Sequence, residues 1–200
     1  MKAFRLALAA LCLSSAPALS DPISLSRLSA YLNGITTAQA EFRQINADGS
    51  ISTGELSIKR PGRARFDYDR PNKALVIAGG GQVAIFDDAS NQGPEQYPLS
   101  KTPLSLILDK NVDLGRSGMI VGHDSYDGFT RVVAQDPAHP DYGTIALIFT
   151  DNPVALREWI ITDEVGNATK VVLGDMQTGL TLPASLFSII LESNRRSGGN

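Results

Sequence analysis

Residues 54–68 read GELSIKRPGRARFDY, and the alternation within them decides the fold. Leu56 and Ile58 share one parity, with Glu55, Ser57 and Lys59 on the other. After Pro61-Gly62 the pattern resumes, with Ala64, Phe66 and Tyr68 set against Arg63, Arg65 and Asp67. Period-2 alternation marks a strand with one apolar face, and the Pro-Gly break marks a turn between two of them. So short a connection favours an antiparallel pair, because a parallel crossover needs a dozen residues or more.

The same texture spreads outward from this hairpin. Further candidate strands are Ala74–Ala78, Gln82–Phe86, Ser117–Gly122, Phe129–Gln135, Thr144–Thr150, Arg157–Thr162, Ala168–Gly174 and Leu186–Glu192. Turn signals separate them at Gly79-Gly80-Gly81, Asp127-Gly128, Asp151-Asn152 and Gly166-Asn167. About ten antiparallel strands in one sheet curl rather than lie flat. Two segments carry helical spacing instead. Leu25, Leu28, Leu32 and Ile35 predict a helix over 23–35, stopped by Asn33-Gly34. Thr102-Pro103 opens a short second one, with Leu104, Ile107 and Leu108 on one face. Both helices belong on the concave side of the sheet. They either fill it as an ordinary core or lid a hydrophobic cavity, and spacing leaves that choice open.

The amino terminus reads as an export signal. Lys2 and Arg5 precede an apolar run from Leu6 to Leu13, and Ala18-Leu19-Ser20 forms a small-x-small cleavage site. The run is far short of the roughly 20 residues that span a bilayer. Residues 1–20 are therefore expected to be a signal peptide, 21–194 one domain and 195–200 a flexible tail. Cys12 follows Leu11, whereas lipid attachment wants a small residue there, so Cys12 is expected to be lost on maturation. That leaves no cysteine for a disulfide, a thiolate metal site or a nucleophile. Without Lys2 and Arg5 the formal charge of -3 becomes more negative still, which argues against a general nucleic-acid binder.

No catalytic, metal or cofactor constellation stands out. His123 and His139 lack metal-ligand spacing and read as solvated loop residues. Asp87-Asp88 ends a strand in what reads as a solvated turn, and Gly79-Gly80-Gly81 joins two strands with no phosphate-loop signature after it. The chain is read as a non-enzyme. Charge does concentrate at Lys59, Arg60, Arg63, Arg65, Arg70 and Lys73. Most of these suit a solvated sheet face, Arg63 and Arg65 included. Continuing the parity of Leu56 and Ile58 puts Arg60 on the apolar side. There it either finds partners or snorkels out from a strand end.

Ile58-Lys59-Arg60-Pro61-Gly62-Arg63, Phe66-Asp67-Tyr68 and Pro71 together resemble the Lys-Arg-Pro block of the outer-membrane lipoprotein carriers, the LolA family. The similarity takes in Phe42-x-Gln44, residues 80–87, Thr102-Pro103-Leu104 with Ile107-Leu108, Trp159, Asp163-x-x-Gly166 and Leu186-Phe187. It implies a mainly β fold with α: an incomplete, half-open antiparallel β-barrel of about ten to eleven strands, its concave face lidded by short helices over a hydrophobic cavity. It implies a soluble, monomeric periplasmic carrier of lipoprotein acyl chains, without cofactor or metal, and not membrane-integral. Such a carrier works between an inner-membrane ABC transporter (LolCDE) and an outer-membrane receptor (LolB). Arg60 matches the family's arginine that ties the lid shut. The expected cavity lining is Phe42, Leu56, Ile58, Phe66, Tyr68, Leu104, Ile107, Leu108 and Trp159. Ala64 stands where the family often has an aromatic residue, and the chain after Phe187 is short for a further terminal strand. The alternatives are a LolB-like receptor, which needs a lipid-attached cysteine, and a periplasmic lipid- or protein-sensing domain of the same fold.

Overall fold

A computed structural model of the protein describes residues 21–87, 93–116 and 118–198. Helix α1 (Leu25–Gly34) leads into β1 (Thr37–Ile45), β2 (Ile51–Lys59), β3 (Arg63–Tyr68), β4 (Leu75–Gly79), β5 (Gln82–Phe86) and β6 (Glu95–Pro98). A strap between β6 and β7 carries a 3-10 turn (Leu99–Lys101) and the single-turn helix α2 (Leu104–Leu108). Then come β7 (Ile120–Tyr126), β8 (Phe129–Gln135), β9 (Thr144–Thr150), β10 (Ala155–Thr162), β11 (Ala168–Leu173), the two-residue β12 (Gln177–Thr178) and α3 (Ile189–Ser197). The expected signal peptide with Cys12, Asp88, Ser117 at the start of one expected strand and the last two residues of the expected tail lie outside the described residues.

All the strands join one antiparallel sheet in the order β6-β5-β4-β3-β2-β1-β11-β10-β9-β8-β7, with β12 beside the first half of β1. The sheet does not close: β6 and β7 are its two edges. Because these edges are consecutive in the chain, the strap between them has to run from one side of the sheet to the other. It crosses on the concave side, which is why α2 lies there. Register matches the parity of the opening hairpin, with Leu56 opposite Phe66 and Ile58 opposite Ala64.

The concave residues of the sheet and the apolar faces of α1 and the strap form one buried cluster. Leu28 and Leu32 come from α1, Leu104, Ile107, Leu108, Val112 and Leu114 from the strap, and Phe42, Phe66, Leu147, Phe149 and Trp159 from the sheet. The helices thus fill the concave face in this closed arrangement. Ala64 is buried in that core.

Several expectations need correction. Residues 37–45 form β1, although strand texture was read only beyond Phe42; its inward positions include Ala38 and Ala40, too small to register as a hydrophobic stripe. Leu186–Glu192 is not a strand. A 3-10 turn (Ala184–Phe187) and α3 occupy it, because the Ser188 side chain accepts the Leu191 N–H and starts a helix. That helix runs to Ser197, into the expected tail, with Arg195 and Arg196 both donating to Glu192. β7 starts at Ile120 and continues through His123, which is half-buried with Nε2 2.9 Å from the Ile23 carbonyl rather than in a solvated loop.

Candidate functional site

The interior is apolar: Phe42, Leu56, Ile58, Phe66, Leu104, Ile107, Leu108 and Trp159 are all buried, and Tyr68 is half-buried. Phe42 meets Phe66 and Tyr68 edge-on at 5.6 and 5.1 Å, and Phe66 meets Trp159 at 6.3 Å. Such edge-to-face pairs add to simple area burial. Tyr68 keeps its hydroxyl satisfied by donating to Gln44 (2.7 Å). Burial pushes its phenol up to about 12, against the opposing hydrogen bond to Gln44, so it stays neutral in the core.

The nine expected lining residues therefore lie together, packed against one another and against the helices. The open space lies beside them. A cleft of about 750 Å³ runs between the strap (Leu99, Pro103, Leu106, Leu108), the Pro61-Gly62 turn and the β8–β9 side (Ala134, Tyr142, Ile145). Of the expected lining, only Leu108 borders this cleft.

Arg60 lies where the parity argument put it, at the end of β2 on the helical side. Its guanidinium has five N–H groups, and each of its nitrogens donates toward a helix end. Nε and Nη2 donate to the Asp109 carbonyl, the former at 3.0 Å. Nη1 donates to the Leu32 carbonyl and, at 3.3 Å, to that of Ile35. Nη2 also donates to Asn33 Oδ1 at 3.1 Å. These acceptors sit at the C-terminal ends of α1 and α2, where the last-turn carbonyls lack helical partners and the helix dipole is negative. One side chain caps both helices. Burial pulls its guanidinium below the ordinary value, and the Asp109 charge opposes that shift. The Gly62 N–H adds a backbone bond from the same turn to the Leu108 carbonyl (2.8 Å).

Sequence reasoning missed two groups. Asn33, read only as a helix stop, bridges α1 to the strap. Arg65, read as solvated, is a clamp on the convex face instead. It pairs with Asp67 (2.6 Å), lies 3.8 Å from Glu192, and donates to the Leu186 carbonyl. It thereby holds α3 against the outer side of β3 and β4, where Ile189 packs on Leu75, Ile77, Ala84 and Phe86. A charged residue followed 127 positions later by its carboxylate leaves no local signal.

This clamp carries a pH dependence. Burial alone would raise the Glu192 carboxyl, but hydrogen bonds from Arg195 and Arg196, with the charges of Arg195 and Arg65, outweigh it and hold the carboxyl low. A carboxyl lowered by folding stabilises the fold above its unfolded value of about 4.5, and that stabilisation is lost as pH falls through the lower folded value. In urea titrations between pH 7 and 3, the Glu192→Gln protein is expected to lose less stability on acidification than the parent. Parallel curves for the two proteins would remove the clamp from the acid response.

Among the described residues, no helix is long and apolar enough to cross a membrane. The family model for "Outer membrane lipoprotein carrier protein LolA" matches residues 33–190. An outer-membrane lipoprotein carrier protein of Pseudomonas aeruginosa is 29% identical over 176 residues, covering 84% of each chain. One from Azotobacter vinelandii is 28% identical over 198 residues, covering 94% of each. A solved LolA superfamily protein from Nitrosomonas europaea overlays loosely, with a TM-score of 0.43 and 10% identity, over 83% of this chain and 98% of its own.

Proposed function

The chain belongs to the LolA family of outer membrane lipoprotein carriers, and from that premise we propose that it carries the acyl chains of lipoproteins through the periplasm. The carrier receives its cargo from an inner-membrane ABC transporter of the LolCDE type and passes it to an outer-membrane receptor of the LolB type. The basic-then-apolar amino terminus supports export to that compartment. One observation carries the mechanism: a single arginine caps the two helices that cover an apolar interior.

The closed arrangement stores that interior as a packed core. Acyl chains enter when the helices lift and the nine residues Phe42, Leu56, Ile58, Phe66, Tyr68, Leu104, Ile107, Leu108 and Trp159 exchange contacts with one another for contacts with lipid. The cleft beside the strap is where this exchange starts, since it already borders Leu106, Leu108 and Ile145. Arg60 opposes the exchange. At about 0.8 kcal/mol per methylene, one ~16-carbon chain is worth roughly 12 kcal/mol on burial. Several such chains would exceed the practical limit of roughly 18–21 kcal/mol for reversible binding. Release therefore needs an opposing contribution, and re-forming the lid supplies it.

Purified protein added to spheroplasts is expected to release newly made lipoproteins into the medium, and native mass spectrometry should find acylated protein bound to it. Retention of all lipoproteins on the inner membrane, with a known carrier active in parallel, would end this reading.

A further inference from the structure

α1 meets the strap through side chains on one partner and backbone on the other. Asn33 Nδ2 donates to the Val112 carbonyl (2.8 Å), and Asn33 Oδ1 accepts the Val112 N–H (2.9 Å). One turn earlier, Ser29 Oγ accepts the Leu114 N–H (3.0 Å) while donating to the Leu25 carbonyl (2.7 Å). Residues four apart share a helix face, so the two contacts form a short ladder along one side of α1. Val112 and Leu114, 2% and 0% exposed, are held in the core by it. Only a carboxamide can donate and accept with one peptide in this manner; a carboxylate cannot donate, and a hydroxyl is too short to span both groups.

The remaining attachments of α1 are unevenly placed. Its leading end is pinned to the β7–β9 side: the Ile23 N–H donates to Thr130 Oγ1 (2.9 Å), His123 meets the Ile23 carbonyl, and Arg27 pairs with Asp151 (2.8 Å). Midway, the Tyr31 hydroxyl accepts the Leu156 N–H (3.1 Å), and the trailing end meets Arg60 and runs within two residues into β1. The seam between the helices and the β2–β3 turn consists of the Arg60 side chain, the Arg60 N–H on the Thr36 carbonyl (2.8 Å) just past α1, and one backbone bond from Gly62 to the strap. The seam between α1 and the strap has the reciprocal Asn33 pair and Ser29.

We propose that Asn33 is a positioning residue for cargo exchange, joining α1 and the strap into one lid that the Arg60 side chain releases and recaptures as a unit. The proposal rests on the carrier reading above. Asn33 Oδ1 accepts from both Arg60 and Val112, so the latch and the joint meet at one atom. Releasing Arg60 then frees both helices together, and re-forming it returns both together.

The test uses the full chain with Cys12→Ser, which removes the sole cysteine in the sequence. One variant carries Asn33→Cys and Asn111→Cys, to be joined by a short bismaleimide; another carries Pro61→Cys and Lys110→Cys, joined the same way across the turn and the strap. Transfer of a fluorescent lipoprotein to receptor-bearing vesicles is followed before and after linking. Without the linker, the first variant is expected to transfer about tenfold more slowly, the worth of one or two net hydrogen bonds, and linking is expected to restore it several-fold, the Arg60 bond to Asn33 Oδ1 staying absent. Linking the second variant is expected to stop transfer. Ser29→Ala, which keeps Asn33, should show a smaller slowing of the same kind. If the α1–strap link itself blocks transfer, or fails to restore it, while the turn–strap link also blocks, the joint is wrong and the carrier reading stands. If the turn–strap link leaves transfer intact, no lid lifts from that turn, and both the latch and the joint fall.

Discussion

Leucine in place of Arg60 is expected to trap the protein in its loaded form. The arginine donates to three backbone carbonyls and one side-chain oxygen at two helix ends. Hydrogen bonds from a charged donor are worth about 1.5–3 kcal/mol each, and partial exposure of this site argues for the lower end and for counting only two of them. The closed lid then loses roughly 3–5 kcal/mol, a shift of about a hundred- to a few-thousand-fold toward the open, cargo-holding arrangement. Leucine also adds apolar surface beside the acyl chains. The variant should accept lipoprotein, fail to hand it on, and accumulate loaded in the periplasm. Arg60→Lys should show part of the effect, because an ammonium lacks the planar fork that reaches both helices at once. Arg63→Leu, outside the helix seam, is the control. Equal transfer by Arg60→Leu and the parent, or an equal block from Arg63→Leu, would falsify the latch.

Trp159→Ala should produce the other large effect, on stability. Trp159 is 1% exposed and stands edge-on to Phe66 in the middle of the concave core. Truncating a buried tryptophan costs about 3–5 kcal/mol, which in a chain of this size lowers the melting temperature by roughly 6–20 °C. The informative comparison is between empty and loaded protein. Where acyl chains replace side-chain contacts, they also occupy the space the indole leaves, so the loss should be clearly smaller with cargo bound. Melting curves recorded in both states decide it, and an equal loss in the two would place Trp159 away from the cargo.

Much of this was legible in fifteen residues. The parity of 54–68 placed Leu56, Ile58, Ala64 and Phe66 on the inside, and the same parity carried Arg60 inward with them. Parity could not name its partners, since Leu32, Ile35 and Asp109 lie 25 to 49 positions away and offer carbonyls that any sequence would offer. The strand β1 was missed because alanines carry a weak hydrophobic signal. Leu186–Glu192 was misassigned because a short apolar run suits strand and helix alike, and a serine cap decided between them. Arg65 was misread for the opposite reason: alternation sent it outward correctly, but outward meant beneath α3, and nothing local announces that a helix will return to cover that face.

The strap has a consequence for reach. Its path is fixed at both ends by edge strands, so α2 can rise only as far as the chain between those strands extends. α2 is one short turn of five residues. A helical residue advances about 1.5 Å and an extended one about 3.4 Å, so unwinding that turn releases roughly 10 Å of slack. That is about the spacing between two packed sheets, enough to admit a layer of hydrocarbon without parting a single rung of the sheet. The single turn in the strap is thus also a length reserve, available without movement of the strands beneath it.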